Sequence, residues 1–159
     1  MDFFTIGVYN STEKEFFDKL IQNGIDTFCD IRQRRGVRGA KYSFVNSNRL
    51  QNKLEELGIR YCYISELAPT AEIRELQKNI DAEKGALKRD RHVLGKVFVI
   101  EYKNKVLNAF DFQRFFDNLD NLGSKKVVLF CVEEHFEACH RSIVAERLQN
   151  TYNRCIMNL

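Results

Sequence analysis

The stretch that decides the fold reads VVLFCVEE over residues 127–134, HFEACHR over residues 135–141 and SIVAERL over residues 142–148. An apolar run ends on a thiol and two carboxylates. A short loop follows, and a second thiol, an imidazole and a guanidinium begin a predicted helix. In an α/β protein, ligands bind where the carboxyl ends of strands meet helix N-termini. The stretch therefore predicts a strand–loop–helix unit and also the position of a functional site.

The rest of the chain continues this alternation of strands and helices. Apolar runs predict strands at residues 3–8, 25–31, 59–64, 126–132 and 154–157. Helical periodicity and end signals predict helices from Thr12 to Asn23-Gly24 and at residues 47–57, 70–91, 112–122 and 139–150. Residues 97–107 suit either a strand or a helix, and we favour a helix because Phe98, Tyr102 and Leu107 roughly share one face.

This order predicts one Rossmann-like α/β domain over residues 1–159, with three layers and a mostly parallel sheet of about four to five strands. The charged residues at about 70–96 are interpreted as a helical insertion. With 44% hydrophobic and 30% charged residues the composition is that of a soluble globular protein, and the net charge of +3 does not by itself imply nucleic acid.

Targeting signals and a disulfide framework are not apparent in the sequence. No apolar run reaches the roughly 18 residues of a membrane span, and residues 1–4 do not begin a signal peptide. The five cysteines are an odd number at irregular spacing, which suits buried free thiols better than disulfides. We therefore expect a cytoplasmic protein without a membrane partner.

The residues after the fourth strand offer several kinds of chemistry. Cys131 and Cys139 are candidate nucleophiles, and Glu133 and His140 are candidate proton-transfer groups. Arg141, in the first turn of the helix, is a candidate clamp for a phosphate or carboxylate. The structural alternatives are that Cys131 fills the core and that Arg141 pairs with a glutamate to lock the loop. The Cys-x7-Cys-His spacing matches no structural zinc pattern, so we predict no metal site.

A basic loop follows the second predicted strand and reads DIRQRRGVRGAK over residues 30–41. Its arginines suit phosphates, and its glycines allow a close approach of the backbone, so Arg32, Arg35 and Arg38 are candidate ligand-binding residues. Asp30, a carboxylate at the end of a buried strand, needs a cation such as Arg32 or Arg141. Aromatic rings beside this loop, notably Tyr42, could stack on bases, although aromatic residues pack in cores more often.

Several of these residues together resemble the family called domain of unknown function 488. The resemblance rests on Thr5-Ile6-Gly7, Asp30-Ile31-Arg32, Tyr61 with Glu66-Leu67, and above all Cys131-x-Glu133 followed by Cys139-His140-Arg141. It implies a small cytoplasmic α/β domain whose marked residues, including Thr5 and Gly7, gather at strand ends. It implies no particular reaction or cofactor.

The chain also departs from the family pattern. The usual His-Ser after Thr-Ile-Gly is Val8-Tyr9, and the usual final His-Leu is Asn158-Leu159. The usual Pro-Gly-Ser-Arg is Arg35-Gly36-Val37-Arg38, and the usual Glu-Leu-Gly-Gly is Glu66-Leu67-Ala68-Pro69. Because two histidines are missing, we expect binding rather than acid–base catalysis.

Three functions remain open at the level of sequence. The first is binding of a phosphate-bearing ligand, a nucleotide or nucleic acid, held by Arg32, Arg38 and Arg141 and oriented by Asp30 and Glu133. The second is an enzyme with a cysteine nucleophile or Glu/His acid–base pair that acts on a nucleotide-like substrate. The third is a regulatory interaction module that uses the charged residues 72–91 as its partner surface.

Overall fold

The computed structural model describes residues 1–83 and 92–159. Five strands form one sheet in the order β3-β2-β4-β1-β5, and every neighbouring pair is parallel. The strands are β1 (Asp2–Ile6), β2 (Thr27–Asp30), β3 (Arg60–Tyr63), β4 (Lys126–Phe130) and β5 (Ile156–Asn158). The sheet confirms the predicted α/β fold, and it is parallel throughout the described residues rather than mostly so.

In the described part of the chain, six α-helices cover the two faces of this sheet. They are α1 (Glu13–Gln22), α2 (Ser47–Glu56), α3 (Ala71–Glu83), α4 (Lys96–Tyr102), α5 (Phe112–Asn121) and α6 (His140–Tyr152). Within residues 97–107 the helix interpretation is confirmed, and α4 runs directly into a π-helical segment at Lys103–Leu107.

Two apolar clusters on opposite faces of the sheet make it a three-layer domain. Alternate strand residues point to opposite faces, so Phe3 and Val127 belong to one cluster and their neighbours Phe4 and Val128 to the other. The first cluster packs against α3, α4, α5 and α6, and the second against α1 and α2. Central strands buried on both faces explain their near-continuous apolar sequences.

The first helix begins and ends where its sequence predicts. The Thr12 hydroxyl accepts a hydrogen bond from the Glu15 backbone N–H at 3.2 Å, and the Glu15 carboxylate accepts one from the Thr12 N–H at 2.8 Å. This reciprocal capping box satisfies two N–H groups that lack helical partners. Gly24, at φ +64°, takes the left-handed conformation that ends the helix.

The predicted insertion at about 70–96 lies partly outside the described residues, since residues 84–91 are not among them. In the described part, α3 buries Ile73 in the core and the Gln77 side chain accepts a hydrogen bond from the Gly95 N–H at 2.8 Å. These contacts tie α3 to the start of α4.

All five cysteines are free thiols, and Cys29 and Cys62 stand directly opposite each other on β2 and β3. A hydrogen bond from Cys29 lowers the pKa of Cys62 to about 7, helped by Arg60 and opposed by burial. The hydrogen bond with Cys62 and complete burial raise the pKa of Cys29 well above its usual value.

We therefore expect half-buried Cys62 to alkylate with a midpoint near pH 7, because the thiolate is the reactive form. Replacing Cys29 by Ala removes the donor and is expected to move the midpoint up, towards about 8.5. Mass spectrometry of iodoacetamide-treated protein across pH measures both profiles. An unchanged profile in Cys29→Ala would contradict this prediction.

Candidate functional site

The site lies where the carboxyl ends of β2, β4 and β1 meet. In the sheet order β4 stands between β2 and β1, so the loops that leave these three strands are neighbours. The strand-end loops carry Arg32 after β2, Cys131 and Glu133 after β4, and Gly7 after β1. The first turn of α6 adds Cys139, His140 and Arg141.

Asp30 and Arg32 form a buried ion pair at the end of β2. The Arg32 Nε and Nη2 donate to the two Asp30 carboxylate oxygens at 2.8 and 2.7 Å, and the Arg32 backbone N–H donates at 3.1 Å. The Tyr61 hydroxyl donates a further hydrogen bond at 2.8 Å. Of the two cations that the sequence leaves open for Asp30, the structure places Arg32 in contact.

The two side-chain hydrogen bonds to Asp30 use only the Nε and Nη2 of the Arg32 guanidinium. The remaining nitrogen, Nη1, is buried and has no hydrogen-bond partner among the described residues. The guanidinium lies 4.5 Å from the centre of the Phe130 ring, and only 2% of Arg32 is exposed. A buried N–H group without a partner is costly, so this atom is the one part of the ion pair that still requires an acceptor.

The structure brings together Cys131, Glu133, Cys139 and His140, which we call the thiol–imidazole cluster. The Cys131 thiol donates to the Glu133 carboxylate at 3.1 Å, and the Cys139 Sγ lies 3.8 Å from His140 Nδ1. The four residues are at most 5% exposed. Cys131, Glu133 and His140 line the cleft described below, whereas Cys139 is not among its lining residues.

Two contacts hold the imidazole ring of His140 in place. Its Nε2–H donates to the Ile31 carbonyl at 3.0 Å, and its ring lies 5.5 Å from that of Tyr102. The Tyr102 hydroxyl donates in turn to the Leu67 carbonyl at 2.5 Å. The orientation of the imidazole is thus fixed by the strand end below it and by α4.

Burial changes the acidity of this cluster. Hydrogen bonding to Cys139 and burial raise the pKa of Cys131 well above its usual value. Burial lowers the pKa of His140, but Cys131, Glu133 and the Ile31 carbonyl outweigh it, so the pKa lies above 6.5. A thiol with a raised pKa is a poor nucleophile near neutral pH. This finding does not favour Cys131 as an activated nucleophile.

Arg141 holds the loop after β4. Its Nη1 donates to the Glu133 carbonyl at 2.5 Å and its Nη2 to the Glu134 carbonyl at 3.0 Å, with only 1% of the residue exposed. Gly7 packs against the Glu133 carbonyl group, because an added Cβ would be 2.0 Å from its oxygen. These contacts agree with the structural alternative in which Arg141 locks the loop after β4. Its partners are backbone carbonyls rather than a glutamate side chain.

A cleft of about 1000 Å³ opens above these groups. Arg32, Cys131, Glu133 and His140 line its floor. Its walls carry the aromatic residues Tyr9, Tyr42 and Phe98 and the cations Arg34, Arg38, Arg74 and Lys78, with Glu75 and Asp81 as the acidic residues on α3. Cations outnumber acids among the described lining residues, so the cleft favours anions.

Five predicted ligand-binding residues are not among those that line the cleft, namely Thr5, Gly7, Asp30, Arg35 and Arg141. The buried Thr5 hydroxyl donates to the Asn158 side chain at 2.7 Å, which joins β1 to β5. Arg35 stacks over the Tyr63 ring at 4.3 Å and is not among the residues that line the cleft. Tyr42 does line it, and its hydroxyl accepts a hydrogen bond from the Asn10 N–H at 3.0 Å.

The sequence motifs leave out several residues of the site, among them Tyr9, Tyr61, Arg74, Lys78 and Tyr102. For Arg74 and Lys78 a signal existed, because residues four apart share one face of a helix. The family resemblance includes Tyr61 but assigns it no role, and its hydrogen bond to Asp30 depends on the pairing of β2 with β3. No sequence pattern indicates that Tyr102 contacts His140.

These features define an α/β protein with an arginine-containing cleft and a buried thiol–imidazole cluster at its strand ends. The family model named Domain of unknown function DUF488 matches residues 12–148, which is most of the chain. The chain belongs to this family, as the sequence motifs indicate. Searches of curated proteins and of solved structures gave no significant match. Within residues 1–83 and 92–159, no helix has the length and apolarity needed to cross a bilayer.

Proposed function

We propose that this protein binds a phosphate-bearing ligand, a nucleotide or a short stretch of nucleic acid, in the strand-end cleft. The observation that carries the proposal is that Arg32, a residue that lines the cleft, has a buried Nη1 without an acceptor among the described residues. A phosphate oxygen would supply that acceptor in a charge-assisted hydrogen bond.

The walls of the cleft suit the rest of such a ligand. Arg34 and Arg38 on the basic loop are exposed, and Arg74 faces them from α3, so several phosphates could be contacted from two sides. Tyr9 and Tyr42, whose rings are 5.2 Å apart, offer aromatic surface for a base. The role of Arg141 in this proposal is to position the loop that carries Glu133, rather than to touch phosphate.

Binding to fluorescent probes tests the proposal. We would titrate the full chain with a labelled mononucleotide, single-stranded DNA and single-stranded RNA at several salt concentrations. Arg38→Gln and Arg74→Gln are each expected to weaken binding roughly tenfold, the value of one charge-assisted hydrogen bond. With a single strand, each substitution should also reduce the salt slope by about 0.7.

Arg114→Gln is the matched control, because Arg114 is an exposed arginine on α5 outside the cleft. It is expected to bind as tightly as the parent protein. Equal losses in all three variants would indicate non-specific charge attraction and would overturn the proposal. Failure of the parent protein to bind any of the three probes would overturn it as well.

A further inference from the structure

Three potential metal ligands of the thiol–imidazole cluster converge on one point. The two Sγ atoms of Cys131 and Cys139 and a ring nitrogen of His140 all lie within 4.8 Å of one another. The Glu133 carboxylate adds an oxygen 3.1 Å from the Cys131 Sγ. We propose that these residues form a binding site for a divalent transition-metal ion, with Zn²⁺ as the best fit.

The spacing of the donor atoms matches a small tetrahedral site. With Zn–S bonds of about 2.3 Å and Zn–N bonds of about 2.0 Å, a tetrahedron separates sulfur from nitrogen by roughly 3.5 Å. The Cys139 Sγ and His140 Nδ1 are 3.8 Å apart before any adjustment. Two thiols, an imidazole and a carboxylate are also the ligand types that Zn²⁺ takes.

The tautomer of His140 is already the one that metal binding requires. A carbonyl oxygen can only accept a hydrogen bond, so the 3.0 Å contact with Ile31 places a proton on Nε2. In the neutral imidazole, Nδ1 then carries the free lone pair, and this atom faces Cys139. Metal-bound histidines commonly donate their other N–H to a backbone carbonyl in this way.

Surrounding residues hold the remaining ligands in place. Arg141 fixes the backbone of the Glu133–Glu134 segment through two carbonyl groups, and Gly7 allows that segment to approach β1. Tyr102 packs against the His140 ring. Cys131, Glu133 and His140 line the cleft, so an ion can enter from solvent although each residue is at most 5% exposed.

This inference differs from the expectation based on spacing alone. The Cys-x7-Cys-His spacing fits no common zinc motif. The loop between Val132 and Cys139 includes a 3-10 turn at Phe136–Ala138. The end of β4 lies next to the start of α6 in the fold. This proximity brings Cys131 close to Cys139 and His140. The metal proposal is independent of phosphate binding, since it rests on other side chains.

Metal analysis of the full chain tests the proposal. Protein freshly reduced and freed of metal would be titrated with Zn²⁺ and with Co²⁺. We expect one ion per chain, and for Co²⁺ the visible absorption of a tetrahedral site together with thiolate-to-cobalt charge transfer in the near ultraviolet. Cys139→Ser should weaken Zn²⁺ binding by at least about 100-fold, the upper range for loss of an outer-shell partner. Cys155→Ser, at an exposed cysteine, is the matched control and should bind as the parent does.

A second measurement on the parent protein covers the case in which Cys139→Ser does not fold. Under conditions in which Cys131 and Cys139 of the metal-free protein are alkylated, bound Zn²⁺ should slow their alkylation, whereas Cys62 should react equally with and without Zn²⁺. The absence of a tetrahedral cobalt spectrum in the reduced parent protein would overturn the proposal. Equal loss of affinity in Cys155→Ser, or unprotected Cys131 and Cys139, would overturn it too.

Discussion

Replacing Asp30 by Ala is expected to destabilise the protein by about 3–5 kcal/mol, the usual cost of leaving one partner of a buried ion pair alone. The Arg32 guanidinium would keep its charge in a site that is only 2% exposed, and the Tyr61 hydroxyl would lose its acceptor. Urea unfolding followed by circular dichroism measures the change in the free energy of unfolding.

A double-mutant cycle distinguishes the stability lost with the ion pair from other destabilising effects of the substitutions. Arg32→Met removes the charge that Asp30 neutralises, so the double variant Asp30→Ala/Arg32→Met should lose clearly less stability than the sum of the single variants. Glu13→Ala breaks the exposed ion pair with Arg49 and should cost no more than about 1 kcal/mol. Additive losses within the cycle would show that the Asp30–Arg32 contact is not the source of the effect.

The substitution Gly7→Ala is expected to cost about 3 kcal/mol or more, the upper range for overpacking a buried position. The added Cβ would lie 2.0 Å from the Glu133 carbonyl oxygen and 3.0 Å from the Arg141 Nη1. Neither neighbouring atom can move away at a small free-energy cost. The Glu133 oxygen is part of the backbone, and the Arg141 Nη1 donates a hydrogen bond to it. The loop after β4 would have to move, and the midpoint of urea unfolding should fall accordingly.

Gly36→Ala is the matched control for this prediction. Its added Cβ would come no closer than 3.9 Å to the Asn46 side chain, and its backbone does not require glycine. We expect a change within about 0.5 kcal/mol, as for most surface substitutions. Gly7→Ala protein as stable as Gly36→Ala protein would mean that the loop does not depend on the close approach at Gly7.

Much of the fold was predictable because its strands and helices have different apolar periods. The helix predicted from the Thr12 capping signal to Asn23-Gly24 and that predicted at residues 112–122 agree with α1 and α5 within one or two residues. Strand ends were less accurate. The run 25–31 forms β2 only at Thr27–Asp30, because the Ile25 N–H donates to Leu20 at the end of α1. Such end contacts depend on tertiary packing, which local patterns do not contain.

The candidate site was predictable in composition but not in the roles of its arginines. Strand ends of a parallel sheet meet at one edge, so the sequence predicts that Asp30, Arg32, Glu133 and His140 lie there. It could not distinguish Arg32, which lines the cleft and whose Nη1 has no partner among the described residues, from Arg141, whose two Nη groups donate to loop carbonyls. The direction of a long flexible side chain depends on which acceptors the packed core leaves within reach.

By itself, the sequence determined the family, the α/β alternation and the edge of the sheet at which the polar residues collect, because apolar periodicity and strand-end motifs are local properties. The tertiary structure decided that Cys131, Cys139 and His140 converge within 4.8 Å and that Arg74 closes the cleft from α3. Those relations join residues from separate elements. They are set only when the sheet order and the packing of both helical layers fix the distances between them.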